Sequence, residues 1–314
     1  MTATIELSAP DLSAYRQGNT GIDYVHSFKA KRPGPHVMIS AVVHGNELCG
    51  ALTLDFLLRE RVRPTHGTLT LAFANVAAFH RFDPSAPTES RKVDEDFNRV
   101  WSAAKLDGDT RSTELSRARV LRPILDEVDY LLDIHSMQHP TEPLVLCGPT
   151  AKGRALARAI GYPGYVVADE GHAAGRRMRD YAAFADEASP KNALLIECGQ
   201  HWARSSRDVS DEMALRFLQH FELVDPAWLA RYLKPAAPAP QKVIAITDAI
   251  TVETKQFSFV QPFVGMEVLP AAGTLLARDG DREVRTPHDH CVLIMPSRRL
   301  DVGSTAVRLG RFVD

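Results

Sequence analysis

Residues 36–62, HVMISAVVHGNELCGALTLDFLLRERV, decide the fold class. The first eight, HVMISAVV, form an apolar run rich in β-branched side chains and short enough for a buried strand. From Glu47 to Val62 the apolar residues Leu48, Leu52, Leu54, Phe56, Leu57 and Leu58 recur at mostly helical spacing. Arg59, Glu60 and Arg61 make the far end polar, and Pro64 stops it. The alternation continues downstream. LTLAFANV reads as a strand, Thr113–Val128 as a helix with Thr113 as its cap, and YLLDIHS as a strand. Ala151–Ile160 reads as a helix, NALLIECG at 192–199 as a strand, and Asp208–Phe221 as an amphipathic helix. Strands alternating with helices predict an α/β domain with a largely parallel or mixed sheet. The polar, aperiodic stretch 84–98, PSAPTESRKVDEDFN, is a long loop, and such loops in compact domains are often functional.

The pattern changes at 234–240, KPAAPAP, where three prolines in seven residues make a stiff linker. Beyond it VIAITDAITV, FSFVQPFV, TLLARDG, REVRTP and CVLIMPS are strands without intervening helices. The expected division is a first domain at 1–234, a Pro-rich linker at 235–240 and a small all-β C-terminal domain at 241–314. The 314 residues are 45% hydrophobic and 24% charged, ordinary globular values. Lys+Arg 37 against Asp+Glu 39 gives a net charge of -2. That balance argues against nucleic acid or an anionic membrane as a partner. Cys49, Cys147, Cys198 and Cys291 are scattered without a CxxC pair, so neither a disulfide framework nor a thiolate zinc site is expected. The N-terminus lacks the basic and apolar regions of a secretory signal. No stretch approaches ~18 consecutive apolar residues. A soluble, cytoplasmic protein is the expectation.

Four short motifs carry chemistry. His44-Gly45-Asn46-Glu47 sits where the first strand gives way to a helix, and His and Glu are ligand types that catalytic zinc takes. Asp133-Ile134-His135 ends an apolar run. Residues two apart in a strand share a face, so Asp133 can hold the His135 ring. Glu197, in Ile196-Glu197-Cys198-Gly199, follows Leu194-Leu195-Ile196, and a carboxylate there is costly to bury unless paired or functional. The long loop holds Arg91 and then Asp96-Phe97-Asn98-Arg99, whose arginines and asparagine are donors suited to a carboxylate or a developing oxyanion. Taken singly, each admits a plainer reading: a polar helix start, a core histidine, a solvated strand-end carboxylate, ordinary loop charges.

In their order along the chain, HGNE, DFNR, DIH and IECG resemble the aspartoacylase / succinylglutamate desuccinylase family, zinc amidohydrolases related in fold to zinc carboxypeptidases. The step from Glu47 to His135 is 88 positions and that from His135 to Glu197 is 62. The first spacing is similar to the acylase branch. The resemblance implies a zinc-carboxypeptidase-like mixed sheet flanked by helices, with the β segment as the family's C-terminal domain. It implies one Zn2+ per chain held by His44, Glu47 and His135, with Glu197 as general base toward metal-activated water. Arg91, seven residues before Asn98, matches the arginine that helps polarise the scissile carbonyl. Asn98 and Arg99 match the pair that holds the substrate carboxylate.

The implied activity is hydrolysis of the amide of a small N-acyl amino acid. A metallo-carboxypeptidase acting on peptides, or a non-catalytic zinc-containing binding protein, are the alternatives. Relatives of this fold are often oligomers, so self-association is an expectation with no copy number. Two departures bear on substrate. The family's late tyrosine is missing, since no tyrosine follows Tyr232, and its further arginine has three candidates, Arg176, Arg177 and Arg179. His139 and His201 closely follow site segments and are candidates for the pocket wall.

Overall fold

The computed structural model describes residues 4–172, 174–233 and 240–313. It opens with β1 (Val25–Lys29) and β2 (His36–Ala41), followed by α1 (Leu48–Arg59), β3 (Thr68–Phe73) and the short α2 (Val76–Phe79). A long loop leads to α3 (Ala103–Asp107), α4 (Thr113–Glu127), β4 (Tyr130–Met137) and β5 (Leu144–Leu146). Then come α5 (Ala151–Ile160), β6 (Tyr165–Ala168), β7 (Asn192–Gln200), α6 (Arg204–His220) and α7 (Pro226–Leu229). The remaining elements are strands: β8 (Lys242–Thr251), β9 (Phe257–Phe259), β10 (Val268–Leu269), β11 (Leu275–Asp279), β12 (Arg282–Arg285), β13 (Cys291–Ile294) and β14 (Thr305–Val313). Of the linker expected at 235–240, only Pro240 falls within the described residues.

Eleven strands form one sheet in the order β1-β3-β2-β4-β7-β5-β6-β8-β14-β13-β10, and β12-β11-β9 form a second, small sheet. The centre is parallel: β2 pairs with β3 and β4, and β4 with β7. The sheet is mixed because β1 runs antiparallel to β3, and β5 antiparallel to β7. Alternation along the central strands decides what each face meets. Val37, Ile39, Leu132, Ile134, Leu194 and Ile196 share a core with Leu48 and Leu54 of α1 and Met213 and Phe217 of α6. Met38, Leu131 and Ala193 pack the opposite way, against Leu115, Leu121 and Leu125 of α4. Asp133, His135 and Glu197 have the parity of that second face and are buried.

The long β8 carries the sheet onward. Its start pairs in parallel with β6, and most of its length pairs antiparallel with β14. The C-terminal region closes its own core around Val252, Leu276, Leu293 and Leu309. Among the described residues no helix is long and apolar enough to cross a membrane.

Local chemistry sets the element ends. Helix α4 is capped by Ser112, not Thr113: Ser112 Oγ accepts from Leu115 N–H at 3.0 Å. Helix α6 starts one turn before Asp208, at Arg204, whose N–H donates to Glu6 Oε2 at 2.8 Å. Helix α5 stops at Gly161, whose φ of 69° suits glycine, with its N–H on Ala157 O.

Candidate active site

The carboxyl ends of the central parallel strands converge, the place where α/β sheets bind ligands. His44 and Glu47 lie in the turn from β2 to α1. This turn packs tightly: a Cβ on Gly45 would sit 2.3 Å from the Ala78 carbonyl carbon and 2.4 Å from Ser90 O. His135 stands near the end of β4, and its register partner on β7 is Glu197. His44, Glu47, His135 and Glu197 are all buried.

The Nδ1 atoms of both histidines face one carboxylate. His44 Nδ1 is 2.7 Å from Glu47 Oε1, and His135 Nδ1 is 2.9 Å from Glu47 Oε2. The far nitrogen of each ring meets another carboxylate. His44 Nε2 lies 3.0 Å from Asp96 Oδ1, and His135 Nε2 lies 2.9 Å from Asp133 Oδ2. His135 can thus donate its Nε2–H to Asp133 and leave Nδ1 as a lone-pair donor, the arrangement of metal-ligating histidines. The candidate ligand atoms of His44, Glu47 and His135 all lie within 4.8 Å of one another. Among the described residues, the buried Glu47 Oε2 has no aligned hydrogen bond despite its approach to His135. Two nitrogens and a carboxylate, one of its oxygens unsatisfied, fit a divalent metal ion.

The electrostatics agree. Burial opposes charge on His135, yet Asp133 and Glu47 outweigh it and hold the imidazole well above its ordinary range. Burial likewise opposes charge on Glu47, and His44 and His135 hold its carboxyl well below the usual range. Without a metal a proton is therefore held between Glu47 and His135, and a metal ion bound there would displace it. Glu197 differs: burial, opposed by His135 and reinforced by Glu47, pushes its carboxyl up to about 8. A bound dication would draw that value down.

The long loop brings the remaining groups. Arg91 Nη2 donates to Asp96 Oδ2 at 2.9 Å and lies 2.8 Å from His44 Nε2, while its Nη1 is 3.8 Å from Glu47. Asn98 Oδ1 accepts from Met178 N–H at 2.8 Å, which turns the Nδ2 donor of the amide toward the site. The loop is itself held by Glu114 of α4, whose carboxylate accepts from the N–H groups of Val93, Asp94 and Glu95 at 2.7, 3.1 and 3.2 Å.

All seven expected site residues, His44, Glu47, Arg91, Asn98, Arg99, His135 and Glu197, line one cavity. His139 and His201 line it too. Burial holds His201 down to about 3, so it is neutral, and its Nδ1 is 2.8 Å from Ser136 Oγ. Of the three arginine candidates only Arg177 reaches the cavity. Its fork is already engaged by Asp169 through two 2.8 Å bonds. Arg179 is buried against Asp180 and the carbonyls of Cys147 and Ala193, and Arg176 is exposed. Sequence reading missed Asp96 as a histidine partner, and it missed the wall given by His172, Thr305 and Arg308.

The profile of the succinylglutamate desuccinylase/aspartoacylase catalytic domain matches residues 33–221, more than half of the chain. No curated protein matches the sequence. Among solved structures, a succinylglutamate desuccinylase from Vibrio parahaemolyticus superposes with a TM-score of 0.70 at 15% identity, covering 93% of this chain and 87% of that one. The enzyme of the same name from Vibrio cholerae gives 0.68 at 16% identity, with 93% and 86% covered. The product-bound ectoine utilization protein EutE (DoeB) from Ruegeria pomeroyi gives 0.61 at 18%, with 91% and 87% covered. At such identities the superpositions speak for the fold, and the mixed sheet with its C-terminal antiparallel region is the one they share. The chain belongs to the succinylglutamate desuccinylase/aspartoacylase family.

Proposed function

We propose that this protein is a zinc-dependent deacylase that hydrolyses the amide of a small N-acyl amino acid. The observation that carries the reading is the convergence of His44 Nδ1, Glu47 and His135 Nδ1 beside a buried Glu197, in a cavity that Arg91, Asn98 and Arg99 also line. His44, Glu47 and His135 would hold the ion, which supplies Lewis acidity and lowers the pKa of water toward ~7. Glu197 takes the proton from the attacking water and returns it to the leaving amine, the task of a carboxyl tuned toward neutral pH. Arg91, kept protonated by Asp96 and Glu47 in spite of burial, presents fixed charge to the developing oxyanion. Asn98 and Arg99 donate to the carboxylate of the amino acid and set the amide in place.

The cavity favours a small substrate over a peptide, because the C-terminal region walls it with Gly265, Met295 and Ser297. Metal analysis combined with a panel of N-acyl amino acids and peptides tests the reading. About one zinc per chain is expected, with release of free amino acid that a chelator abolishes. Full amide hydrolysis by Glu197→Gln, or exclusive cleavage of peptides, would overturn it.

A further inference from the structure

Behind the catalytic cavity lies a second hollow, an open groove of about 820 Å³. Much of the wall between them is one chain thick. Along β7 and its continuation, Glu197 and His201 line the cavity, whereas Cys198, Gly199 and Gln200 line the groove. A β-bulge re-aims the chain here. His135 is paired with Glu197 and Met137 with Gln200, so β7 takes three steps against two of β4. Gly199 sits in the bulge with a φ of 102°, a conformation that suits glycine. Among the described residues, Thr141 and Gly265 are the two that line both hollows.

These two residues come from different parts of the chain, Thr141 from the loop between β4 and β5 and Gly265 from the loop between β9 and β10. They touch closely: a Cβ on Gly265 would stand 2.7 Å from Thr141 Cγ2 and 2.8 Å from its Oγ1. Both loops are held. Pro140 and Pro143 stiffen the backbone around Thr141, and beside Gly265 the Met266 N–H donates to Leu293 O at 2.7 Å. The groove lies on the α6 side of the sheet, where Cys198 joins the core shared with α1 and α6. Asn98 stands on the other side, between Phe97 and Met178 of the core that α4 covers. A ligand whose carboxylate is held at Asn98 therefore sends its acyl end past Glu197 toward Thr141. Beyond Thr141 the groove wall is apolar at Pro140, Pro143, Val209 and Val264. Its charged members are Glu6 and Glu142, with no cation among the described residues.

We infer that Thr141, packed on Gly265, is a specificity-determining residue: the contact ends the catalytic cavity on the acyl side and sets the longest acyl group accepted. The groove beyond it suits an uncharged chain once the contact is opened. The inference rests on the deacylase reading for the identity of the ligand. Because Gly265 belongs to the C-terminal region, that region takes part in the limit.

The test uses metal-loaded full-length protein with N-acetyl-, N-butanoyl- and N-hexanoyl-L-alanine, the same series on L-glutamate, and N-adipoyl-L-alanine. Wild type is expected to lose kcat/KM from acetyl to hexanoyl by on the order of tenfold or more, chiefly through KM. Thr141→Gly opens the contact and is expected to raise the hexanoyl-to-acetyl ratio by on the order of tenfold or more. Thr141→Val keeps the shape without the hydroxyl and should keep the wild-type ratio. The adipoyl group matches hexanoyl in length but ends in a carboxylate facing Glu6 and Glu142, so Thr141→Gly should gain on it about tenfold less. Calorimetric binding of hexanoate against acetate reads the same contact without turnover, and Thr141→Ala takes over if Thr141→Gly does not fold. A wild type indifferent to chain length, a Thr141→Gly variant with the wild-type ratio, or a Thr141→Val variant as open as Thr141→Gly would overturn the inference. Equal gains on hexanoyl and adipoyl would overturn the preference for an uncharged chain. A wild type that cleaves no amide at all sinks the deacylase reading instead, and the hexanoate comparison still judges Thr141.

Discussion

At pH 8 a carboxylic acid in water is fully ionised, whereas the buried Glu197 carboxyl is only half ionised there. In the unfolded chain the same group titrates near 4.3. Between about pH 4.3 and 8 the folded, metal-stripped protein therefore binds a proton that the unfolded chain does not, and its stability falls as pH rises through that window. Glu197→Gln removes this penalty along with the proposed base. In chelator the variant is expected to be more stable than the wild type by about 1–3 kcal/mol at pH 8, with the gap narrowing toward pH 5. Urea unfolding across that range checks it, and a gap that does not widen with pH would place the carboxyl in a solvated setting unsuited to proton transfer. Gly45 answers to a different constraint. No side chain fits against Ala78 and Ser90, so Gly45→Ala must push the turn holding His44 and Glu47 off its support. A loss of about 1–3 kcal/mol is expected. Weaker binding of the proposed zinc should accompany it, checked by thermal unfolding and metal competition; a variant with unchanged metal affinity would mean that the turn can shift without moving its candidate ligands.

Among the elements, the Arg91–Arg99 loop depends most on a single side chain. Glu114 satisfies three consecutive backbone N–H groups of the loop and also takes Asn75 Nδ2 at 3.2 Å. Glu114→Ala leaves those donors without their acceptor and is expected to cost about 2–4 kcal/mol. KM should rise more than the number of metal ions bound should fall, because the candidate ligand histidines, His44 and His135, stand on other elements. Steady-state kinetics beside metal analysis checks this, and an unchanged KM would show the loop to be held elsewhere. The same contrast marks what could be read from sequence. The strand and helix at 36–59 were legible because apolar spacing alone writes both, and the site motifs because each follows an apolar run. Strand β14 was not. TAVRLGRFV interrupts its alternation with Arg308, Gly310 and Arg311, and becomes a strand by pairing with β8 on one side and β13 on the other. His172 and Asp169 sit in a stretch without periodicity, so nothing local announces that they meet Arg308. The Ser112 cap was missed because Ser and Thr adjoin and only the hydroxyl geometry chooses between them.

For the whole molecule, the seam between the first part and the C-terminal region decides whether either stands alone. It is a run of main-chain hydrogen bonds, not merely a face: β8 pairs with β6 from Lys242 to Ala245. Around it Met137, Leu144, Leu146, Val167 and Leu195 share a buried core with Ile244, Val292 and Ile294. Loop contacts add to the seam, Arg299 donating to Thr88 O at 2.9 Å and His172 Nδ1 meeting Thr305 Oγ1 at 3.1 Å. A chain ending at Leu233 would expose the β6 edge, uncover those apolar side chains and open the cavity. An unpaired edge beside an uncovered apolar face is a template for aggregation. Residues 1–233 alone are therefore expected to be insoluble, or soluble only as a dye-binding species without a sharp thermal transition, and to show no hydrolysis. Supplying residues 240–314 as a separate chain in the same cells should recover some soluble, metal-binding complex, because the edge and the apolar face then find their partners. Solubility, dye binding and calorimetry of the two preparations check this. A monomeric 1–233 with a sharp transition and bound zinc would instead make the seam an ordinary contact between two independent folding units, and would leave the C-terminal region only its part in shaping the cavity.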